Sequence, residues 1–166
     1  MFPHEKERAM SDVKAIPDGT TAVTPYIIVD DAAAAIEFYK EAFGAVERFR
    51  MNMPDTDIVM HAEIAIDGAA IMLGQSNPDW GSQSPTELGG SPVTIHLYVE
   101  DVDARMAQAV AAGASEDMPV TEMFWGDRMG KVADPHGYKW PIATHVADKT
   151  PEEMDAGMRT MMGGEG

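Results

Sequence analysis

Between residues 22 and 45 the apolar and polar positions change rhythm once. AVTPYIIV (22–29) is β-branched and apolar, the composition of a strand, with Pro25 suited to its start or edge. Asp30 and Asp31 follow, either able to cap a helix. Ile36, Tyr39 and Phe43 then recur at helical spacing and make one apolar face, and Gly44 closes the helix. VERFRMN, DIVMHAEIAI and AAIMLG read as three more strands, parted by the turn chemistry of Pro54-Asp55 and Asp67-Gly68. The first half predicts the order βαβββ.

The phrase then returns. IIVDDAAAAIEFYKEAFGA (27–45) and LYVEDVDARMAQAVAAGA (97–114) set Val29 over Val99, Asp31 over Asp101 and Gly44 over Gly113. IDGAAIML (66–73) answers DPHGYKWPI (134–142), with Gly68 over Gly137. Residues 75–92 are rich in Ser, Pro and Gly and read as a linker or cleft-edge loop. The second half predicts a strand at TIHLYV, a helix carrying Val102, Met106 and Val110, and strands near 117–124, 128–133 and 138–146. Thr150, Pro151 and Glu153 form a capping-box start for a last helix, with Met154, Met158 and Met161 on one face, fit to pack against a surface such as a second subunit. A repeat of this length is too large for a solenoid unit and too small for an independent domain, so two half-domains should complete each other around a cleft. The expected organisation is an N-terminal tail (1–21) that is mobile or straps a neighbour, one domain over 22–148, and a C-terminal helix and tail (149–166). Within the domain, module one spans 22–76, the linker 77–91 and module two 92–148.

At 166 residues and 45% apolar content the chain has room for a core. It has no cysteine, which removes disulfides, thiolate nucleophiles and sulfur metal ligands. No apolar run approaches the ~20 residues of a membrane span, and MFPHEKERAM lacks a signal peptide's apolar centre, so a cytoplasmic location is expected. The net charge of −16 repels phosphate backbones and anionic lipid; nucleic acid and membrane are not expected partners.

PYIIVDDAAAAIEFYKEAFGA, MHAEIAIDGAAIML, HLYVEDVDA, FWGDRMGKVADPHGYKW and IATHVADKTPEEM together resemble the vicinal-oxygen-chelate superfamily (glyoxalase, bleomycin resistance, dioxygenase), and within it the PhnB-like branch. The resemblance implies an α+β fold of paired βαβββ modules forming an incomplete β-barrel around a central cleft, and a homodimer, sometimes with exchanged modules. It does not imply a substrate, because the fold hosts unrelated chemistries. Metal-dependent relatives carry one ligand on the first and last strand of each half. Carried over by the repeat, those places hold Thr24, Met72, Thr94 and Pro141, a poor set for a hard divalent ion. The expectation is therefore a small-molecule cleft with no cofactor; the alternative is one divalent metal ion held elsewhere.

Strand alternation puts Tyr26, His61, Glu63, Met72, Thr94, His96 and Tyr98 on a proposed cleft wall. His61, Glu63 and His96 have the composition of a facial-triad metal site or an acid–base group, but a polar network ordered by Glu63 is the favoured reading. Trp125 offers flat ligand-binding surface, and Arg128 could grip an anionic or carbonyl group, or pair with Asp127 or Asp134. Trp80, in the polar linker, should lid the cleft or meet a partner; His136 should be a solvated turn residue. Three functions fit: a metal-independent binding cleft, an enzyme using His61, Glu63 and His96, or an association protein whose cleft is vestigial.

Overall fold

The computed structural model describes residues 13–163; residues 1–12 of the expected N-terminal tail lie outside them. The first half runs β1 (Tyr26–Val29), α1 (Ala32–Phe43), β2 (Val46–Asn52), β3 (Val59–Ile66) and β4 (Ala69–Gln75). A short helix, α2 (Pro85–Leu88), lies in the linker. The second half runs β5 (Leu97–Tyr98), α3 (Val102–Ala111), β6 (Ser115–Glu122), β7 (Asp127–Ala133) and β8 (Lys139–His145), and α4 (Pro151–Met161) follows. Each half makes a four-stranded mixed sheet, ordered β1-β4-β3-β2 and β5-β8-β7-β6. In both, the first strand pairs in parallel with the last and the other pairs are antiparallel. The fold is α+β with two open sheets and no closed barrel.

The internal repeat is visible down to its caps. Asp31 (φ −133°, ψ 100°) accepts from Ala34 N, and Asp101 (φ −134°, ψ 97°) accepts from Ala104 N, each at 3.0 Å. Gly44 ends α1 in the left-handed region, the C-terminal signal expected there. The second helix departs slightly: Ala112 ends it in right-handed geometry and Gly113 turns one residue later at φ 117°. Thr150 and Glu153 complete the capping box of α4.

One hydrophobic core joins the halves. α1 packs against α3, and Trp140 of β8 packs on Phe43 of α1 with ring centroids 4.6 Å apart and ring planes tilted by 44°. Both rings are fully buried, each side chain contributing on the order of 1.5–3 kcal/mol by leaving water. Beside them lies a polar hub. The buried Asp134 carboxylate accepts from Tyr39 Oη at 2.7 Å, from Trp140 Nε1 at 2.9 Å and from the backbone N–H groups of His136 and Tyr138 at 2.9 Å each. Desolvation and the adjoining Asp134 charge push the Tyr39 phenol well above its ordinary pKa, so it stays a donor. The hydroxyl of Tyr138 meets the free edge of β1, bonding Ile28 N at 3.0 Å and Ile28 O at 2.9 Å.

Three expectations change. His136 is buried, not solvated: the turn bonds to Asp134 fold its ring against Phe38 and Tyr39, and burial lowers its pKa. The strand expected at TIHLYV reduces to Leu97–Tyr98 plus a bridge from Thr94 to Lys139. By that register His96 faces Pro141, which has no N–H for the ladder. The linker is not merely a loop; Ser84 is fully buried, caps α2 in a capping box and bonds Asp30 after β1.

Candidate functional site

Each sheet has one face turned to the helices. Arg50 lies toward α1, tied to Glu47 at 2.7 Å and near Glu37 of the helix. The opposite face of the first sheet is open, and its side chains fall into two rungs set by the register. Phe49, Glu63, Met72 and Tyr26 form one; Met51, His61, Gly74 and Ile28 form the next. Gly74 is small for a reason: a Cβ there would come within 2.6 Å of the Met60 carbonyl and 2.9 Å of the Tyr26 hydroxyl. The bare glycine lets the Tyr26 ring lie across the sheet, where its hydroxyl and His61 Nδ1 share a 3.1 Å hydrogen bond and the two rings stack at 5.5 Å. His61 Nε2 is 3.6 Å from Glu63 Oε1.

Tyr26, Ile28, Met51, His61 and Gly74 floor a cavity of about 290 Å³ whose walls add Met53, Ile58, Met60 and Trp80; Phe49, Glu63 and Met72 lie outside its lining. Trp80 stands at its mouth, presented by a 3-10 turn, Pro78–Trp80, that Asn77 caps through a bond from Asp79 N. Met51, Met53 and Ile58 were not singled out by the sequence. Their alternation on β2 and the following turn was the available signal.

The second sheet's open face is arranged differently. His96 and Tyr98 pack ring to ring at 4.6 Å. Tyr98 Oη and Trp125 Nε1 both donate to Asp127 Oδ2 at 3.0 Å, so Trp125 sits in a hydrogen-bonded cluster. Arg128, one residue on, points to the other face and grips Asp103 of α3 through two bonds of 2.8 and 2.9 Å. Neither Asp127 nor Asp134 is its partner. Strand alternation explains the split, since neighbouring residues on β7 face opposite ways.

The cluster's remaining member, His145, was also missed. Its Nδ1 is 2.7 Å from Asp127 Oδ1 and its Nε2 is 3.0 Å from Asp148. Only the imidazolium can donate through both nitrogens. Burial pushes the Asp127 carboxyl up, but bonds from His145, Tyr98 and Trp125 together hold it below its ordinary value. The bonds to Asp148 and Asp127 raise the His145 pKa above 6.5. The sign follows: the bridge's contribution is complete below about pH 6.5, the unfolded value, and is lost as pH rises through the higher folded value. A pH titration of His145 ring resonances should therefore give a midpoint above that of a free histidine. Asp127→Asn should bring it down, and an unchanged midpoint would disprove the bridge.

The four places where related proteins carry metal ligands do not offer a fitting set here. Thr24 precedes β1, partly buried, with its hydroxyl given to Thr21 O. Thr94 is exposed, Met72 supplies a thioether and Pro141 is buried without a donor atom on its side chain. Among the described residues no three His, Asp or Glu side chains converge as a metal site, so His61 and Glu63 are brought together but His96 does not join them. No helix among the described residues is long and apolar enough to cross a membrane.

Two four-stranded βαβββ sheets, each with one face open, define the class of the protein. The glyoxalase/bleomycin resistance protein/dioxygenase superfamily model matches residues 20–142, and the chain belongs to that superfamily. An uncharacterized protein of Mycobacterium tuberculosis is 44% identical over 140 residues, covering 82% of each chain. A solved gene product of Arabidopsis thaliana is 31% identical with a TM-score of 0.60, covering 74% of this chain and 98% of its own. A PhnB protein from Bacillus cereus shares the fold at 17% identity and a TM-score of 0.58, covering 75% of this chain and 99% of its own.

Proposed function

We propose that this chain is a cytoplasmic, PhnB-like member of the superfamily that binds a small organic molecule on the open face of its first sheet, without a divalent ion at the family's usual position. The observation that carries this reading is the cavity itself. It is mostly apolar, lies near the small end of ligand pockets, and has the hydrogen-bonded pair Tyr26 and His61 at its floor, with Glu63 beside His61 but outside the lining. The unsuitable donors at positions 24, 72, 94 and 141 support the metal-free part. The exposed Met154, Met158 and Met161 of α4 and the exposed Tyr98 support a homodimer, testable by light scattering in solution.

A thermal-shift screen of small metabolites, run with and without divalent metals and chelator, tests the reading. A true ligand at a hundred times its Kd adds about 2.7 kcal/mol of stability. Trp80→Ala should weaken every hit at least about tenfold while leaving the ligand-free melting temperature within 2–3 °C, consistent with an exposed residue (on the order of ±0.5 kcal/mol). Hits that require added metal would refute the metal-free part.

The held His61 also supports a second reading, acid–base catalysis, since its two ring nitrogens face Tyr26 and Glu63. If a hit is turned over, His61→Ala should lower kcat by about 10²–10⁴-fold. An unchanged kcat would leave binding alone.

A further inference from the structure

The internal repeat creates two equivalent grooves, and only one is filled. In the first, the end of β1 and the start of α1 meet the turn between β7 and β8, and the linker helix α2 is seated there. Ser84 Oγ donates to the Asp30 carboxylate, and the Thr86 side chain bonds it too. The buried Pro85 lies against Gly137, where a Cβ would come within 2.8 Å of the proline ring. His136 packs on Phe38, and Tyr138 covers the edge of β1.

The second groove lies where the end of β5 and the start of α3 meet the turn between β3 and β4. The repeat sets Glu100 over Asp30 and Gln108 over Phe38; it sets Asp67, Gly68 and Ala69 over His136, Gly137 and Tyr138. Gly68 and Gly137 share a left-handed backbone, φ 85° and 92°, yet a Cβ on Gly68 would meet nothing within 4 Å. Smaller or unringed side chains on this side leave a cavity of about 880 Å³, bounded by Asp67, Tyr98, Glu100, Asp101, Arg105 and Gln108. Among the described residues no segment is seated in it as α2 is in the first groove. β5 is also an outermost strand. Because Val99 N bonds Ala143 O of β8, the N–H and C=O of Tyr98 turn outward, and Ala69 has no hydroxyl with which to cover them.

We propose that the second groove docks a turn of a partner protein built on the pattern of residues 84–86: a hydroxyl residue, then proline, then a cationic residue. The hydroxyl donates to Glu100 as Ser84 does to Asp30, and the proline ring lies on bare Gly68 as Pro85 lies on Gly137. The third residue is cationic because the cavity's carboxylates, Asp67, Glu100 and Asp101, outnumber its guanidinium, Arg105. His145, at the rim, is already shared by Asp127 and Asp148. The outward N–H and C=O of Tyr98 offer the flanking backbone of the partner a strand edge.

The test titrates three blocked peptides, Gly-Ser-Pro-Lys-Gly, Gly-Ala-Pro-Lys-Gly and Gly-Ser-Pro-Glu-Gly, into the isotope-labelled full chain. The first should shift the backbone amide resonances of Gly68, Tyr98 and Glu100 while those of His61 and Trp80 stay fixed. The other two should bind at least about tenfold more weakly, one for want of a hydrogen bond to a charged acceptor and one for its reversed charge. In Glu100→Ala the Ser and Ala peptides should bind alike. Ala69→Tyr, an exposed position, gives the second groove the ring that Tyr138 gives the first and should abolish binding. If the first peptide leaves Gly68, Tyr98 and Glu100 unmoved, or if it still binds Ala69→Tyr, the groove is not the docking site. Equal binding of all three peptides overturns the recognition chemistry. Shifts of the same three resonances on concentrating the protein alone would mean that a second copy covers the groove, which also overturns the proposal.

Discussion

Asp134→Ala should destabilise the protein by at least about 4 kcal/mol. The carboxylate satisfies four buried donors at once: the Tyr39 hydroxyl, the Trp140 indole and two backbone N–H groups. Each donor left dry costs on the order of 1–3 kcal/mol, and they share one cavity, so the losses are not simply additive. A domain of this size has only about 5–15 kcal/mol to lose, so the variant should be close to unfolding at room temperature. Urea denaturation measures it. Asp134→Asn retains an acceptor oxygen for part of the set and should cost less. Tyr39→Phe in the Asn background should cost less than Tyr39→Phe alone, because the shared bond is already weakened. A loss below about 1 kcal/mol for the Ala variant would mean that the two halves are not held through this carboxylate.

Gly126→Ala is expected to cost about 3 kcal/mol and to loosen the chain beyond β8. Two effects combine. Gly126 sits at φ 101°, where a side chain is strained, and a Cβ would run into the Ala147 carbonyl. The Gly126 carbonyl also accepts from Val146 N at 2.9 Å and Ala147 N at 3.0 Å, so moving it frees the start of the segment leading to α4. Hydrogen exchange should accelerate in residues 146–161 more than in α1. A variant with wild-type exchange there would show that another contact fixes the segment.

The local parts of this fold could be read from the chain because each rests on residues a few positions apart. Asp31, Asp101 and Thr150 cap their helices through bonds to backbone three residues on, and the repeat doubled the evidence for the first two. What escaped depended on distant neighbours. His136 looked like a turn residue, but its burial comes from Phe38 and Tyr39, nearly a hundred positions away. Arg128 lay between two tempting carboxylates, and Asp103 of another element took it. Of the residues expected on one cleft wall, Tyr26, His61, Glu63 and Met72 share the open face of the first sheet, and Thr94, His96 and Tyr98 belong to the second half; only Tyr26 and His61 line the cavity. Alternation could not reveal that Asp127 and His145 meet, since that requires the register between β7 and β8.

The hydroxyl of Tyr138 has one more effect. β1 is the outermost strand of its sheet, a template on which foreign chains could stack and precipitate. By taking both the N–H and the C=O of Ile28, a single phenol from the opposite half spoils that template at its middle. The same bond that locks the halves together thus protects the protein from sticking to itself, and Tyr138→Phe would expose the molecule to aggregation on storage before it measurably altered the fold.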